Sequence, residues 1–371
     1  MNRVSRESIR AQGRYPGVSL AGVAPELAMA LYRFMLRLRR CEESLIAEYH
    51  PADQMRCPVH FCLGQESVAA ALSLVIRPED YLFCHHRTHN WYFAKGAPMK
   101  ALFAEMYGRA TGANGGLSGS QEISYPALNF YGGAILTGSV GIATGAARAQ
   151  QLLGSDHIAV AGFGEGATDE GAFWEAMNYA ALRRLPVVYL CENNGYATWS
   201  PQHKRQPQDN ISQKAAAFGV QTYTIFGNDA VLAHQTVSQA VAGARAGQPA
   251  LVEAYTYRWN GHVGPENDDV QNYRPLEELA FWKDNDPIAL LEEAMTNARL
   301  LDAARKQALE QEIAAEIAEA FAFAKQSPWP LPADWRALNY SQETPRADEL
   351  LSDVESGQFD QHQDEAIPGP Y

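Results

Sequence analysis

The sequence predicts an α/β protein with a doubly wound, mainly parallel sheet and helical extensions at both ends. Short apolar runs without polar alternation, at 157–162 and 186–191, indicate strands that are buried on both faces. The segment between them has helical spacing, so strand, helix and strand follow one another as in parallel sheets. The runs at 221–226 and 250–257 repeat this alternation around a predicted helix at 229–247.

Composition is that of a globular protein. The chain has 371 residues, of which 46% are hydrophobic and 20% charged, enough to bury a full core. The formal net charge of −13 argues against nucleic acid as a partner, because phosphate-binding surfaces need clustered Lys and Arg. Five cysteines without Cys-x-x-Cys spacing suggest neither disulfides nor a zinc site, and no apolar run is long enough to span a membrane. We therefore expect a cytoplasmic protein that contacts neither nucleic acid nor a membrane.

The first part of the chain predicts a helical extension. Residues 1–23 are polar and are expected to form an arm. Pro25 occupies a position that the first turn of a helix tolerates, and apolar residues at helical spacing extend this helix to about Tyr49. An alanine-rich segment predicts a helix to about Ile76, and a short strand follows at 80–84. These elements precede the alternating core.

The last part of the chain predicts further helices and then a tail. Asp286-Pro287 is a helix cap and first-turn pair, and 309–324 has helical spacing. Prolines interrupt the pattern from residue 327 onward, where the chain becomes acidic and polar. The predicted parts are an arm at 1–23, a main domain at 24–326 and a C-terminal tail at 327–371.

Polar residues follow the two central strands. Gly164-Glu165-Gly166-Ala167 comes after the first strand, and Asn193-Asn194 comes after the second. Ligands collect at the carboxyl ends of parallel strands, so these segments are expected to share a site. The glycines let the backbone approach a ligand closely, and the N–H groups that open the next helix suit a phosphate. The oxygen ligands of Glu165 and Asn194 suit Mg²⁺, which predicts a magnesium–diphosphate site.

This coupled pattern resembles the metal and diphosphate motif of thiamine diphosphate enzymes. The resemblance is to the α subunits of 2-oxo acid dehydrogenases, the pyruvate, branched-chain 2-oxo acid and acetoin dehydrogenases. It implies that 24–326 is the domain that binds the diphosphate half of the cofactor and that the loop Gly164–Ala167 contacts it. It also implies that Glu165 and Asn194 bind Mg²⁺ through their side chains and Tyr196 through its backbone carbonyl.

A second stretch, His85-His86-Arg87-Thr88-His89, follows the short strand. A planar guanidinium suits bidentate phosphate binding, although by itself such a stretch is also typical of a solvated basic loop. Beside the diphosphate motif it resembles the family segment whose Arg binds the terminal phosphate. The resemblance implies that Arg87 is a diphosphate ligand. It also makes His86, at a position where the family often has Tyr, a cofactor-binding and catalytic candidate.

Histidines elsewhere are candidates of the same kind. His262 ends the stretch that follows the last predicted strand, and family members have a His there on a loop over the cofactor. The resemblance implies that His262 binds the cofactor and acts in catalysis, whereas a surface His in a Gly-Pro loop is the alternative. His60 precedes a Gly-Gln-Glu that also resembles the family, and it either faces the active site or is a structural histidine.

The segment 108–145 is rich in small residues, which let backbone pass close to a flat ring but also occur in linkers. The resemblance favours the first interpretation, with Leu136 as the bulky residue that props thiamine into its bent conformation. Two residues here depart from the family pattern. Glu122 stands for the His of Ser-x-His, and Ser139 stands for a usual Gln.

Two further departures follow the last strand, where Trp259 precedes an Asn260 that replaces a second family His. Together with Glu122 and Ser139, they leave the substrate pocket open to more than one interpretation. One is a 2-oxo acid dehydrogenase that decarboxylates its substrate and transfers the acyl group to a lipoyl carrier. Another is a thiamine-dependent enzyme that cleaves acetoin or joins carbon units. A third is a non-catalytic α-like partner, against which the retained cofactor residues argue.

The resemblance also implies partners. Thiamine enzymes need a second domain for the aminopyrimidine ring, and this sequence contains only the diphosphate half. A β subunit is therefore expected to supply the other half, in an αβ pair doubled to a heterotetramer. A lipoyl acyltransferase is the expected acceptor, a 2-oxo acid the expected substrate, and thiamine diphosphate with Mg²⁺ the expected cofactors.

Overall fold

The apolar runs of the sequence form the centre of a seven-stranded sheet in the computed structural model, which describes residues 5–50, 55, 57–268 and 271–331. The described strands are β1 (Tyr81–Cys84), β2 (Ser124–Tyr125), β3 (Phe130–Gly132), β4 (Ala159–Gly164), β5 (Val187–Asn193), β6 (Tyr196–Ala197), β7 (Ser200–Pro201), β8 (Gln221–Phe226) and β9 (Ala250–Tyr255). The sheet order is β2-β3-β1-β4-β5-β9-β8, and only β2 runs antiparallel to its neighbour. Strands β6 and β7 form a separate hairpin. This confirms the predicted mainly parallel sheet.

Helices cover both faces of the sheet and extend it at both ends of the chain. The described α-helices are α1 (Arg6–Ala11), α2 (Pro25–Tyr49), α3 (Glu66–Ser73), α4 (His89–Ala94), α5 (Met99–Met106), α6 (Gly138–Leu153), α7 (Gly171–Arg183), α8 (Gln202–Arg205), α9 (Ile211–Ala217), α10 (Ala230–Arg245), α11 (Leu276–Asp284), α12 (Pro287–Asn297) and α13 (Ala303–Gln326). Helix α6 packs on β1 and β4, while α10 packs on β5, β8 and β9. The doubly wound α/β class with helical extensions is therefore confirmed.

The core has two layers because successive strand residues point to opposite faces. In β5, Val188 and Leu190 join the cluster that contains α3 and α10 residues. Val187 and Tyr189 join the other cluster, with residues of α6 and α7. All four side chains are fully buried. Continuous apolar runs were therefore the correct signal for strands covered on both faces.

The predicted boundaries are correct to within a few residues. Strand β4 begins two residues later than predicted and continues to Gly164, because Gly164 still pairs with Glu192 of β5. Acidic residues at the start of a helical segment are typical of its first turn, but Asp169 and Glu170 lie before α7. Residues Glu165–Asp169 form a separate 3-10 turn, and Glu170 is the N-cap of α7. This turn changes the chain direction directly after the glycine loop.

The predicted N-terminal arm contains a helix that the sequence analysis does not predict, α1, capped by Ser5. Contacts divide the chain into a unit at Met1–Trp329 and a unit at Pro330–Tyr371. Residues 332–371 of the predicted tail lie outside the described residues. The proposed domain limits stay predictions. No helix among the described residues is long and apolar enough to cross a membrane.

Gly162 of β4 allows Trp91 to pack directly on the sheet, since a Cβ there would lie 2.6 Å from Trp91 Cε2. Trp91 is fully buried and has no room to move aside. We expect Gly162→Ala to lower the free energy of unfolding by about 2 kcal/mol through overpacking, as measured by chemical denaturation. Gly145→Ala in α6 is the matched control, because its Cβ would meet no atom within 4 Å. Equal stability of the two variants would contradict the packing argument.

Candidate functional site

The carboxyl ends of β1, β4 and β5 border a cavity of about 280 Å³. Every residue predicted to bind cofactor or metal lines this cavity, although the residues come from separate parts of the chain. They are His86, Arg87, Leu136, Gly164, Glu165, Gly166, Ala167, Asn194, Tyr196 and His262. The parallel sheet brings them together because its strands end at the same edge. Their individual roles stay predictions, since location alone does not establish them.

A larger cleft of about 820 Å³ lies beside α1. Its walls include side chains of both charges, such as Arg6, Lys204 and Glu278. Tyr196 is the only predicted site residue among those lining it. We assign the site to the smaller cavity, because the chemistry of convergent polar groups at a sheet edge outweighs size.

Buried arginines give the cavity a positive wall. Arg87 is only 2% exposed, and its guanidinium donates hydrogen bonds to the carbonyls of Phe61 and, at 3.4 Å, His262. Burial lowers the pKa of Arg87 to about 10, so it stays charged at neutral pH. Arg258 is equally buried, and its Nη2 donates to the carbonyl of Thr198 at 2.6 Å. Two cations held away from water suit an anionic group such as a diphosphate.

Three histidines stand against this wall. The ring centre of His60 lies 4.5 Å from that of His86 and 4.8 Å from that of His262. Burial, followed by the charge of Arg87, lowers the pKa of His60 to about 2 and that of His262 to about 3. The pKa of His86 is also lowered, mainly by burial. All three rings are therefore neutral at pH 7. His60 thus belongs to the cavity rather than to the core, which answers the question left open by the sequence.

These three rings could also hold a metal ion. One nitrogen from each ring lies within 4.8 Å of the others. However, Arg87 and Arg258 place positive charge beside the rings, and that charge opposes a dication. Nδ1 of His60 and Nδ1 of His262 have no hydrogen-bond partner among the described residues. We conclude that the histidines are better suited to hydrogen bonds with an anion than to metal binding.

Glu165 is the carboxylate that lines the cavity. It is 1% exposed, and burial raises its pKa, while Arg205 acts in the opposite direction. Its Oε1 accepts a hydrogen bond from Arg205 Nη2 at 2.5 Å. The side-chain oxygen of Asn194 accepts from the backbone N–H of Tyr196 at 3.0 Å, which fixes the tight turn after β5. The donor set here consists of carboxylate, amide and carbonyl oxygens, which fits Mg²⁺.

The two glycines of the loop, Gly164 and Gly166, are suited to their positions for different structural reasons. At Gly164 an added Cβ would meet nothing within 4 Å, whereas at Gly166 it would lie 2.9 Å from Ala197 Cβ. Gly166 therefore permits close contact between the 3-10 turn and the β6–β7 hairpin. Gly164 lines the cavity without a side chain, so a ligand can approach its backbone closely.

A buried network holds the segment that approaches the cavity from 108–145. His89 Nδ1 lies 2.5 Å from Glu42 Oε1, and its Nε2 lies 3.0 Å from Ser120 Oγ. Thr88 Oγ1 donates to the carbonyl of Ser120 at 2.6 Å. These side chains are fully buried, so the network positions the neighbouring Gln121, which lines the cavity, rather than reacting itself.

The departures from the family pattern lie outside the cavity wall. Glu122 accepts a hydrogen bond from Ala134 N at 3.1 Å, and Asn260 donates to the carbonyl of Pro265 at 2.7 Å. Trp259 lies under the guanidinium of Arg39, and the buried Ser139 hydroxyl has no hydrogen-bond partner in the described part of the chain. Glu122 and Asn260 therefore shape the loops that carry Leu136 and His262, instead of touching the ligand space.

Asn90, the second residue of α4, has a role behind the cavity. Its Nδ2 donates to both carboxylate oxygens of Glu192, at 3.0 and 3.2 Å. Burial raises the pKa of Glu192 to about 8. His85, which lines the cavity, has its Nε2 3.9 Å from Glu192. Asn90 therefore provides a partner for a buried carboxyl group behind the cavity.

Several cavity residues were missed by the sequence interpretation. His85, Gln121, Ala134, Ala197, Thr198 and Arg258 line the cavity without having been singled out as site residues. Arg258 had a detectable signal, because it lies only three residues beyond the end of β9. Gln121 and Ala134 had none, since their approach depends on the Ser120 network and on long-range packing.

Comparison with known proteins gives consistent relatives. The family model described as "Dehydrogenase E1 component" matches residues 33–333. The pyruvate dehydrogenase E1 component subunit alpha of Rhizobium meliloti is 30% identical over 319 residues, covering 85% of this chain and 90% of the relative. The corresponding subunit of Porphyra purpurea is 32% identical, over 81% of this chain and 89% of the relative. The alpha subunit of acetoin:2,6-dichlorophenolindophenol oxidoreductase of Bacillus subtilis is 31% identical, over 82% and 91%.

The pKa of His85 makes the stability of the protein depend on pH. Burial, followed by Arg87, lowers this pKa from 6.5 to about 3, so the unfolded chain binds a proton below about pH 6.5 while the folded protein does not. The contribution of His85 to the free energy of unfolding is present above pH 6.5 and is lost as the pH falls towards 3.

We expect the free energy of unfolding of His85→Gln to decline less steeply between pH 7 and 5 than that of the parent protein, as measured by denaturant titration at each pH. His203→Gln, at an exposed position, should follow the parent protein. Parallel curves for all three proteins would refute this assignment.

Proposed function

We infer the function of the cavity from one premise: the chain belongs to the dehydrogenase E1 component family, as an α subunit of a thiamine diphosphate-dependent 2-oxo acid dehydrogenase. We propose that the cavity holds the diphosphate end of thiamine diphosphate together with Mg²⁺. The observation that carries this proposal is the pairing of oxygen ligands with buried cations in one cavity. Glu165, Asn194 and Tyr196 line it together with Arg87 and Arg258.

Different residues of the cavity bind the metal and the phosphates in this proposal. Glu165 and Asn194 bind Mg²⁺ through their side chains and Tyr196 through its carbonyl oxygen, while Arg87 binds the terminal phosphate. The loop Gly164–Ala167 contributes backbone N–H groups. Neutral His86 and His262 donate hydrogen bonds, which the unpartnered Nδ1 of His262 supports. Leu136, 37% exposed at the cavity, would pack against the cofactor.

The bound cofactor supplies the carbanion and the electron sink for decarboxylation. The protein groups orient the substrate, exclude water and move protons. His262 and His86 are the candidates for proton transfer, because both imidazole rings line the cavity. A lipoyl acyltransferase, which we propose as a further partner, would accept the acyl group on its lipoyl arm.

A β subunit supplies the aminopyrimidine half of the site. Glu165 is the only carboxylate among the residues lining the cavity, and it is committed to Arg205. Glu66, of the Gly-Gln-Glu motif, is buried against Arg39 at 2.5 Å and does not line the cavity. No lining carboxyl group of this chain is thus free to activate the aminopyrimidine ring.

Exposed apolar residues of α6 support a partner surface. Ile142, Leu152 and Leu153 are 60%, 68% and 77% exposed. Apolar side chains of this size cost free energy when they stay in water, and their exposure is typical of a surface that a partner covers. We propose that the β subunit covers this helix and that the αβ pair doubles to a heterotetramer. We also propose the cytoplasm as the compartment, which the free thiols of the described residues support.

A second candidate function is the cleavage of acetoin or the joining of carbon units. The relative from Bacillus subtilis, named as an acetoin oxidoreductase, favours it. The loop contacts of Glu122 and Asn260 are compatible with it, because they alter the surroundings of Leu136 and His262. A non-catalytic α-like partner is disfavoured by the complete set of cofactor candidates in the cavity.

We expect the co-purified α and β chains to turn over a 2-oxo acid, and this chain alone to show no turnover, because the aminopyrimidine half is missing. A panel of 2-oxo acids and acetoin, assayed with thiamine diphosphate, Mg²⁺ and an artificial electron acceptor, measures this. Higher kcat/KM for acetoin than for any 2-oxo acid would select the second candidate. Turnover by this chain in a preparation proven free of partner would contradict the two-subunit site.

Substitution of His262 separates catalysis from binding. If His262 acts in proton transfer, His262→Ala should lower kcat by about 10²-fold at saturating thiamine diphosphate. Steady-state kinetics at several cofactor concentrations measure this, with His203→Ala as the exposed control. Full recovery of kcat at high cofactor would make His262 a ligand without a catalytic role.

A further inference from the structure

Arg205 contacts both loops that carry the proposed metal ligands. It lies at the end of α8, and its side chain is 15% exposed. Its Nη2 donates to Glu165 Oε1 at 2.5 Å, and its Nη1 donates to Asp169. Its Nε donates to the carbonyl of Ser200 at 3.2 Å. One guanidinium therefore joins the glycine loop after β4 to the hairpin after β5.

The next residue reinforces this connection. Gln206 Nε2 donates to Thr168 Oγ1 and to Asp169 Oδ1, each at 2.7 Å. Gln206 is buried, so its amide has few alternative partners. Arg205 and Gln206 thus both hold the 3-10 turn of Glu165–Asp169. Arg205 and Gln206 belong to the chain segment that follows the turn formed by Asn194 and Tyr196.

Glu165 needs such a partner more than an Asp would. Its side chain has one more torsion than Asp, so more rotamers must be excluded before an oxygen can face a ligand. Arg205 fixes one oxygen, Oε1, whereas no other described residue donates a hydrogen bond to Oε2, and the backbone N–H of Glu165 itself is the further donor to the carboxylate. Because Glu165 lines the cavity, Oε2 is the oxygen left for a ligand there.

We propose that Arg205 is a positioning residue for the metal site: it fixes Glu165 so that the second carboxylate oxygen faces the cavity, and it holds the two ligand loops in register. The inference rests on the proposed function, since it concerns the Mg²⁺ site assigned above. Hydrogen-bond partners of metal-binding carboxylates orient the ligand, and their loss costs about 10- to 100-fold in metal affinity.

Titration with Mn²⁺ tests this role without an activity assay. The assembled αβ enzyme with thiamine diphosphate is titrated with Mn²⁺, and free Mn²⁺ is measured by electron paramagnetic resonance. We expect Arg205→Gln to weaken Mn²⁺ binding by about 10- to 100-fold, and Arg205→Lys to recover part of the loss. Lys204→Gln removes the same charge one residue away, where the exposed side chain makes no ion pair among the described residues. It should change the affinity by less than about twofold.

A double substitution separates positioning from general damage. If Arg205 acts through Glu165, then Arg205→Gln combined with Glu165→Gln should bind Mn²⁺ no more weakly than Glu165→Gln alone. Additive losses would overturn the inference, and so would unchanged or tighter binding by Arg205→Gln. Tighter binding would mean that the guanidinium competes with the metal for Glu165. If Glu165→Gln binds Mn²⁺ as well as the parent enzyme, the metal site of the proposed function fails as well.

Discussion

The parallel sheet constrains everything in this structure, because its strands end at one edge. Strands β1, β4 and β5 lie side by side, and the residues that follow them converge on one cavity. Both faces of the sheet are covered by helices, so side chains leaving the strand ends have little water around them. The chemistry of the cavity therefore depends on which polar groups the strands deliver and on how these groups compensate one another.

The buried charges of the cavity are not all neutralised by a neighbouring charge of opposite sign. Arg87 and Arg258 form no ion pair with a carboxylate among the described residues. Burial, followed by the charge of Arg87, lowers the pKa of His60 and of His262. Glu165, by contrast, is paired with Arg205. A ligand suited to this cavity has an anionic group for the arginines and a cation for the carboxylate. Mg²⁺ bound to a diphosphate has this polarity, which is the physical basis of the proposed site.

The sequence was sufficient for the fold class and for the residues nearest the strand ends. Glu165 and Asn194 could be found because each directly follows an apolar run, and adjacent parallel strands bring such positions together. Arg205 could not be found, since its contact with Glu165 crosses a hairpin whose path depends on tertiary packing. The helix in the N-terminal arm was missed because it is a single short turn with little periodicity. The 3-10 turn before α7 was missed because acidic residues suit both a turn and the start of a helix.

The central claim is that the metal lies with Glu165 and Asn194 and not with the three histidines. An anomalous difference map from crystals of the assembled enzyme, grown with Mn²⁺ and thiamine diphosphate, tests it directly. The account predicts one peak in the cavity, about 2.1–2.3 Å from a carboxylate oxygen of Glu165, the side-chain oxygen of Asn194 and the carbonyl of Tyr196. A peak among His60, His86 and His262, or bound cofactor with no peak at Glu165, would contradict it.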